Sequence, residues 1–190
     1  MGSRLAEPAT SIRVRAAVPT DAARLSLLGR ATFLESYAHL LPVEDILEHA
    51  EHQHAPGKYA GWLANPACRC WIAEAPGGAP VGYLVATPPE LPIAAPDPRD
   101  VEIRRIYLLY RFQGLGVGRW LMEEALSYAA QTACSRVLLG VYSRNERALA
   151  FYERLGFTRA GTREFRVGAH DYHDFILQRA PLPDSATAKC

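Results

Sequence analysis

Lysine is almost absent from this chain of 190 residues, since Lys58 and Lys189 are the only two among 21 basic side chains. These are balanced by 20 acidic side chains, and the formal net charge is only +1. So small a charge creates no strong field that would attract nucleic acid or an anionic membrane surface. The composition therefore gives no support for nucleic acid or a membrane as a partner.

Long apolar runs and a dense framework of cysteines are missing too. No stretch approaches the ~20 apolar residues that cross a bilayer, and Met1–Thr10 lacks the apolar core of a secretory signal. Four cysteines are too few for a disulfide-stapled secreted domain, so we expect reduced thiols and a cytoplasmic protein. The hydrophobic fraction of 49% suffices for one core, which we place in residues 11–180, with 1–10 and 181–190 as flexible tails.

The spacing of apolar and turn residues predicts antiparallel strands first and alternating helices and strands afterwards. A strand over Ile12–Ala16 is followed by helices that begin near Pro19 and Pro42 and by a short helical piece at Tyr59–Leu63. The proline-rich segment Thr87–Pro98 is typical of an exposed connection. The other predicted elements are a hairpin over Cys68–Ala86, strands at Val101–Leu109, Arg136–Val141, Phe157–Gly161 and Tyr172–Gln178, and helices at Gly116–Gln131 and Asn145–Leu155.

A glycine-rich turn, Gln113-Gly-Leu-Gly-Val-Gly118, separates a predicted strand from a predicted helix. Glycines at such a junction expose backbone N–H groups at the positive end of the helix dipole, which suits phosphate oxygens. A dinucleotide fingerprint would need glycine where Arg119 stands, and a Walker loop would need a lysine that this segment lacks. A tight turn without any ligand is the alternative interpretation.

A second motif, Asn-Glu-Arg-Ala-Leu-Ala-Phe-Tyr-Glu-Arg-Leu-Gly-Phe, begins at Asn145 and has Gly156 as a natural helix C-terminal cap. At helical spacing Asn145, Ala148 or Leu149, and Tyr152 lie on one side, so an amide and a phenol face the same way. Taken singly, Asn145 could be an N-cap and Tyr152 a packing residue.

Together the two motifs resemble those of the GNAT superfamily of acyl-CoA N-acyltransferases, and the resemblance covers nearly all of residues 11–180. It implies a single domain of the α/β (α+β) class with the element order β-α-α-β-β-β-α-β-α-β-β. The sheet is expected to be mixed but mostly antiparallel, with about seven strands flanked by helices and a splay between the fourth and fifth strands. The resemblance further implies acetyl-CoA as acetyl donor and no metal.

The resemblance also implies which residues hold acetyl-CoA. Amides of the glycine turn are expected to bind the pyrophosphate, and the strand before it to pair with the pantetheine arm like an added strand. Tyr152 is expected near the thioester sulfur, where it would protonate the departing thiolate. The expected acetyl-CoA-binding residues are Ile106, Tyr107, Leu108, Gln113, Gly114, Leu115, Gly116, Val117, Gly118, Arg119, Asn145, Ala148 and Tyr152.

The attacking amine must lose a proton, because an amine with a pKa near ~10.4 is protonated at neutral pH. Glu102, at the start of the central strand, is our first candidate for a base, since many superfamily members place there a glutamate that acts through water. The alternative is that Glu102 only forms an ion pair, for example with Arg104. The Leu108 amide is the expected donor to the oxyanion.

The expected acceptor is a primary amine of a small molecule, and fold alone does not choose it. The segments Glu102–Tyr107, Leu139–Tyr142 and Phe157–Gly161 are similar to strands of bacterial Pai-type polyamine acetyltransferases. Phe33, Glu35 and Tyr37 are candidate acceptor-binding residues. An acidic cleft for a polycation could be formed by Glu35, Glu44, Asp45, Glu48 and Glu51, although carboxylates on amphipathic helices usually form a solvated face.

Three other interpretations stay open: an acetyltransferase acting on a protein N-terminus or lysine, a non-catalytic acyl-CoA-binding module, and a homodimer formed through the late strands. Two clusters favour structural roles instead. A metal site at His49, His52 and His54 is not expected, because only the first two share a helix face. Four polar residues late in the chain are predicted to form a strand edge, and one of them is a candidate for the border of the acceptor cleft. This late polar group consists of His170, Asp171, His173 and Asp174.

Overall fold

The computed structural model describes residues 12–167 and 170–180. The strands within these ranges are β1 (Arg13–Ala16), β2 (Arg69–Glu74), β3 (Pro80–Thr87), β4 (Val101–Leu108), β5 (Val137–Tyr142), β6 (Thr158–Val167) and β7 (His170–Arg179). The α-helices are α1 (Ala22–Tyr37), α2 (Val43–Gln53), α3 (Pro56–Ala64), α4 (Val117–Gln131) and α5 (Glu146–Arg154). The expected order is therefore present, with α3 as a third helix before β2 that is longer than the short piece predicted there.

The strands form one sheet in the order β1-β2-β3-β4-β5-β7-β6. All neighbouring strands are antiparallel except β4 and β5, which run parallel. These two pair only from Val101 with Val137 to Ile103 with Leu139, although both continue further. The predicted mixed, mostly antiparallel sheet with a splay between its fourth and fifth strands is confirmed.

Helices cover both faces of the sheet, because β2 and β3 carry apolar side chains in both directions. In β3, Leu84 and Ala86 pack under α4, while Tyr83 and Val85 pack under α1 and α3. The stripe predicted on α4 is buried along its whole length, as its spacing of four residues requires: Val117, Leu121, Ala125 and Ala129. From here on, the face of the sheet covered by α1, the helix that carries the candidate acceptor-binding residues, is called the acceptor face.

The connection between β3 and β4 departs from the prediction, because it is not exposed throughout. Leu91 is only 6% exposed and packs with Leu138 and Ile176. Asp100, close to the end of the connection, is buried and accepts a hydrogen bond from Arg136 Nη2 at 2.6 Å. The prolines do exclude helix and strand, but apolar side chains of β5 and β7 need a cover that Leu91 provides.

The other composition-based expectations concern cysteine, histidine and apolar helices. Cys68, Cys70 and Cys134 are buried free thiols, and Cys190 lies outside the described residues. The His49 ring stacks on Phe33 at 4.1 Å, and the described residues bring no three metal-ligating side chains together. Within the same ranges, no helix combines the length and apolarity of a membrane span.

Candidate active site

The splay leaves one edge of β4 open beyond Ile103. Leu109 N donates to Val81 O at 2.9 Å, so the alternation of the antiparallel ladder directs the amides of Ile106 and Leu108 away from β3. On that side β5 has already diverged, and no strand of the described chain pairs with this stretch. The open edge can therefore receive an extended group as an added strand.

The glycine turn lies directly after this edge. Gly114 and Gly116 have φ values of 81° and 83°, in the left-handed region that favours glycine. The N-cap of α4 is Gly116, which offers no side chain to cap the helix, and Trp120 N to Gly116 O is the first helical hydrogen bond, at 3.1 Å. The preceding amides consequently point out of the helix end, and this donor set fits a diphosphate.

Side chains around the turn play different parts. Gln113 Nε2 donates to Leu108 O at 3.2 Å and so ties the turn to the open strand edge. Leu115 is exposed, whereas Val117 is buried in the core. Arg119 forms a surface ion pair with Glu123 at 2.7 Å.

Gly118 brings the turn, β4 and α5 together. A Cβ at this position would lie 3.4 Å from Leu108 Cδ1 and 3.7 Å from Phe151 Cζ. The absence of a side chain allows the first turn of α4 to pack against the open strand and against the helix that carries Tyr152. The amides of the glycine turn, the open strand edge and the Tyr152 phenol are thereby brought together at one end of the splay.

Replacing Gly116 with alanine should raise the KM for acetyl-CoA about five- to tenfold with little change in kcat. Alanine in the left-handed region costs about 1 kcal/mol, and relief of that strain would turn the amides away from the phosphates. Gly77 is a matched control, because its φ is 90° and, as at Gly116, no atom lies within 4 Å of an added Cβ. Steady-state kinetics in which both variants shift the KM equally would contradict the assignment of the turn.

The predicted helix with Asn145 and Tyr152 is α5. Asn145 is its N-cap, and its Oδ1 accepts from the amide of the half-buried Ala148 at 3.1 Å. The capping role considered for Asn145 is thus present. It leaves the side-chain NH₂ group of Asn145 available to a ligand.

Tyr152 is 7% exposed, and its ring packs against Phe151 and Phe157 at centroid distances of 5.3 and 5.8 Å. The Tyr152 hydroxyl makes no hydrogen bond within the described chain. Every fully buried side-chain N or O atom there has a hydrogen-bond partner, so this hydroxyl is not fully buried. The hydroxyl therefore opens toward solvent at the splay. Burial, and next the neighbouring Tyr107, raise the pKa of Tyr152 above its usual value, so the phenol keeps its proton at neutral pH.

The acceptor face beside this point is aromatic. Tyr107 of β4 stacks on Tyr83 at 6.0 Å, and the nearby Tyr107 phenol, followed by burial, raises the pKa of Tyr37 well above its usual value. The ring of Phe33 lies 4.6 Å from that of Tyr37. Glu35 is placed differently, because it is exposed and accepts from Tyr110 N at 3.0 Å, which fixes α1 to the end of β4.

Glu102 lies on the acceptor face, at the end of β4 that is still paired with β5. It is 2% exposed, and its carboxylate accepts from Glu90 N at 2.7 Å and from Arg104 Nη1 at 3.1 Å. The amides of Ile106 and Leu108 follow four and six residues later, roughly 13–20 Å along the strand. The structure therefore does not bring Glu102 next to Tyr152, and proton transfer between this end of β4 and an amine at the open edge would need water.

The prediction of a strand edge for the late polar group is wrong, because β7 lies between β5 and β6. Asp174 is the member of that group that lies on the acceptor face, as the prediction allowed for one of the four. It is 4% exposed, and Arg163 donates to its Oδ2 from Nε at 3.2 Å and from Nη2 at 3.1 Å. The guanidinium occupies space that a side chain at Gly140 would fill. Burial raises the pKa of Asp174, and its charge contributes to the raised pKa of Tyr37 across the splay. The sequence signal for its position was the spacing of two residues to Ile176, which places both side chains on the same face of the strand.

Comparison with known proteins agrees with this arrangement. The model of the Acetyltransferase (GNAT) family matches residues 34–157. An uncharacterised N-acetyltransferase of Mycobacterium tuberculosis (strain ATCC 25618 / H37Rv) is 33% identical over 160 residues, which are 84% of this chain and 97% of that protein.

Two solved structures share the fold at low sequence identity. PaiA N-acetyltransferase from Thermoplasma acidophilum, in complex with coenzyme A, has a TM-score of 0.69 at 20% identity and covers 90% of this chain and 99% of its own. Spermidine/spermine N-acetyltransferase SpeG from Vibrio cholerae has a TM-score of 0.61 at 21% identity, with coverages of 90% and 92%. On the family match and the mycobacterial relative, the chain belongs to the acetyltransferase (GNAT) family.

Proposed function

We propose that the protein transfers the acetyl group of acetyl-CoA to a primary amine of a small molecule, by direct attack in a ternary complex. The observation that carries the proposal is the convergence at one end of the splay of an open strand edge, outward-pointing amides and the protonated Tyr152. A binding module would need the first two features, but it would have no use for a phenol at the thioester.

In the proposed complex the pyrophosphate lies on the amides from Gly114 to Arg119, and the pantetheine arm runs along Ile106–Leu108. Asn145 and Ala148 flank the same arm from α5. The thioester is thereby held at the splay, with its carbonyl oxygen near the Leu108 amide, which stabilises the oxyanion.

The neutral amine attacks the thioester carbon and forms the new C–N bond. As the tetrahedral intermediate collapses, the C–S bond breaks and Tyr152 gives its proton to the CoA thiolate. The proton that the amine loses passes through water to Glu102. Phe33, Glu35 and Tyr37 are the proposed acceptor-side residues, and Tyr37, whose ring contacts Phe33, lies next to Tyr107.

Replacing Glu102 with glutamine should lower kcat about 100-fold at neutral pH, because no carboxylate would receive the amine proton. The loss should shrink as the pH rises toward the pKa of the amine, since the amine then deprotonates without a base. Arg104→Gln is the matched control, because it breaks the same ion pair but leaves the carboxylate in place. If both variants lose activity equally and in parallel at all pH values, Glu102 has only a structural role.

Sequence resemblance suggests a polyamine as one candidate acceptor beside amino acids and peptides, and a spermidine/spermine N-acetyltransferase shares the fold. Asp45 is half-buried, and it contributes to the raised pKa of Tyr172. The exposed carboxylates on the same helix are Glu44, Glu48 and Glu51.

A cytoplasmic location and a homodimer formed through the late strands, of which β6 lies at the sheet edge, belong to the same proposal.

The experiment that tests the function is thiol release from acetyl-CoA with spermidine, spermine, free amino acids and short peptides. Acetylation of a small amine supports the proposal, whereas turnover of peptides alone favours an acetyltransferase that acts on protein N-termini or lysines. Tight CoA binding without any turnover would favour the non-catalytic module.

A further inference from the structure

Arg105 is a half-buried cation on the acceptor face of β4, two residues before Tyr107. Among the described residues, no carboxylate lies within ion-pair distance of its guanidinium. Other half-buried arginines of the described chain are satisfied differently. Arg15, Arg104, Arg136 and Arg163 pair with carboxylates, and Arg179 donates to Leu155 O at the end of α5.

The groups that hold Arg105 are hydrogen-bond acceptors and aromatic rings without charge. The Tyr59 hydroxyl lies 2.9 Å from Arg105 Nη1, 2.8 Å from His54 Nδ1 and 3.1 Å from the Tyr83 hydroxyl. The guanidinium carbon lies 4.9 Å from the centroid of the Trp62 ring. These contacts fix the guanidinium in position, but only its Nη1 has hydrogen-bond partners in the described chain.

The histidines nearby do not supply negative charge, and they do not share the positive charge either. Burial, followed by Arg105 itself, lowers the pKa of His54 to about 2 and that of His49 to about 4. Both rings are therefore neutral at physiological pH, as are Tyr59 and Tyr83, whose pKa values are raised by burial. Arg105 carries the one charge of this group, and its environment leaves that charge uncompensated.

A half-buried cation without a counter-ion is costly, and a bound anion would remove the cost. The N–H groups of Arg105 that have no partner in the described chain match the two oxygens of a carboxylate. Arg105 and Tyr107 share the acceptor face and lie about 6–7 Å apart along β4, and Tyr107 lies close enough to Tyr152 to contribute, after burial, to its raised pKa. A carboxylate held by Arg105 would thus place an amine a few bonds away within reach of the thioester.

We propose that the acceptor is a small amine that also carries a carboxylate, such as an amino acid, and that Arg105 binds this carboxylate. The inference rests on the proposed acetyltransferase function and narrows its substrate class. Arg105 is then a specificity-determining residue, because it favours anionic acceptors and repels a polycation such as spermidine.

The test compares amino acids with their carboxamides as acceptors. Alanine, methionine, phenylalanine and glutamate are each paired with the corresponding α-carboxamide, and putrescine and spermidine complete the panel. The ratio of kcat/KM for acid and amide is measured in the wild-type protein, in Arg105→Gln and in Arg13→Gln, which removes an exposed arginine from β1 at the far edge of the sheet. Dividing the variant ratio by the wild-type ratio cancels the different basicities of the two amines.

We expect Arg105→Gln to lower the acid-to-amide ratio at least tenfold through KM, and Arg13→Gln to leave it unchanged. The wild-type preference for acids over amides provides the same evidence without a variant, should Arg105→Gln fail to fold. A ratio that changes less than twofold would overturn the inference. Acetylation of diamines and of no amino acid would also overturn it, while leaving the proposed function standing. If no compound is acetylated although acetyl-CoA binds, the proposed function fails and the inference fails with it.

Discussion

Replacing Tyr152 with phenylalanine should lower kcat about 100- to 1,000-fold and leave the affinity for acetyl-CoA within about twofold. The ring packs between Phe151 and Phe157, so the variant keeps its shape and loses only the hydroxyl. That hydroxyl has no partner in the described chain, hence its removal breaks no internal hydrogen bond. The departing thiolate would then have to take its proton from water.

Single-turnover kinetics and CoA titration separate the two effects in this variant. Tyr128→Phe is a suitable control, because Tyr128 lies on α4, packs against Trp71 at 5.8 Å and has the same hydroxyl to lose. A Tyr152→Phe protein with wild-type kcat would remove the phenol from the mechanism. A protein that loses CoA binding in parallel with its rate would assign the phenol to binding.

Replacing Gly29 with alanine should destabilise the protein by about 3 kcal/mol, which corresponds to a fall in Tm of about 6–12 °C. Gly29 lies within α1, where alanine ordinarily stabilises a helix by up to about 1 kcal/mol. Here the added methyl would overlap the Tyr59 hydroxyl and His54 Nδ1, which are hydrogen-bonded to each other. Either α1 moves away from the sheet or a buried hydrogen bond is broken, and both are costly.

The same substitution at Gly61 in α3 should stabilise the protein rather than destabilise it. No atom lies within 4 Å of an added Cβ there, so Gly61→Ala should stabilise the protein by about 0.5–1 kcal/mol. Urea denaturation of both variants measures the two free energies of unfolding. Equal changes at Gly29 and Gly61 would show that α1 is not pressed against this hydrogen-bonded group.

Local patterns in the sequence determined most of the architecture. The α4 stripe, the β2–β3 hairpin and the glycine turn before α4 each depend on residues close in sequence, and all three were predicted from the sequence. The same holds for α5, where the sequence left two roles open for Asn145. The cap is a local hydrogen bond, and it is present.

Long-range packing decided the rest. Arg105 and Tyr59, which form a hydrogen bond, are 46 residues apart in the sequence. Arg163 and Asp174 lie opposite each other on the neighbouring strands β6 and β7. Leu91 covers β5 and β7, although its segment was predicted to be exposed. Periodicity assigns a residue to a face, but it does not say which distant side chain lies opposite. That choice follows from the sheet order and from the burial of polar groups, which must find partners wherever the fold brings them. The sequence alone therefore determined the fold, the glycine turn and α5, whereas only the tertiary structure decided which charged side chains lie on the acceptor face.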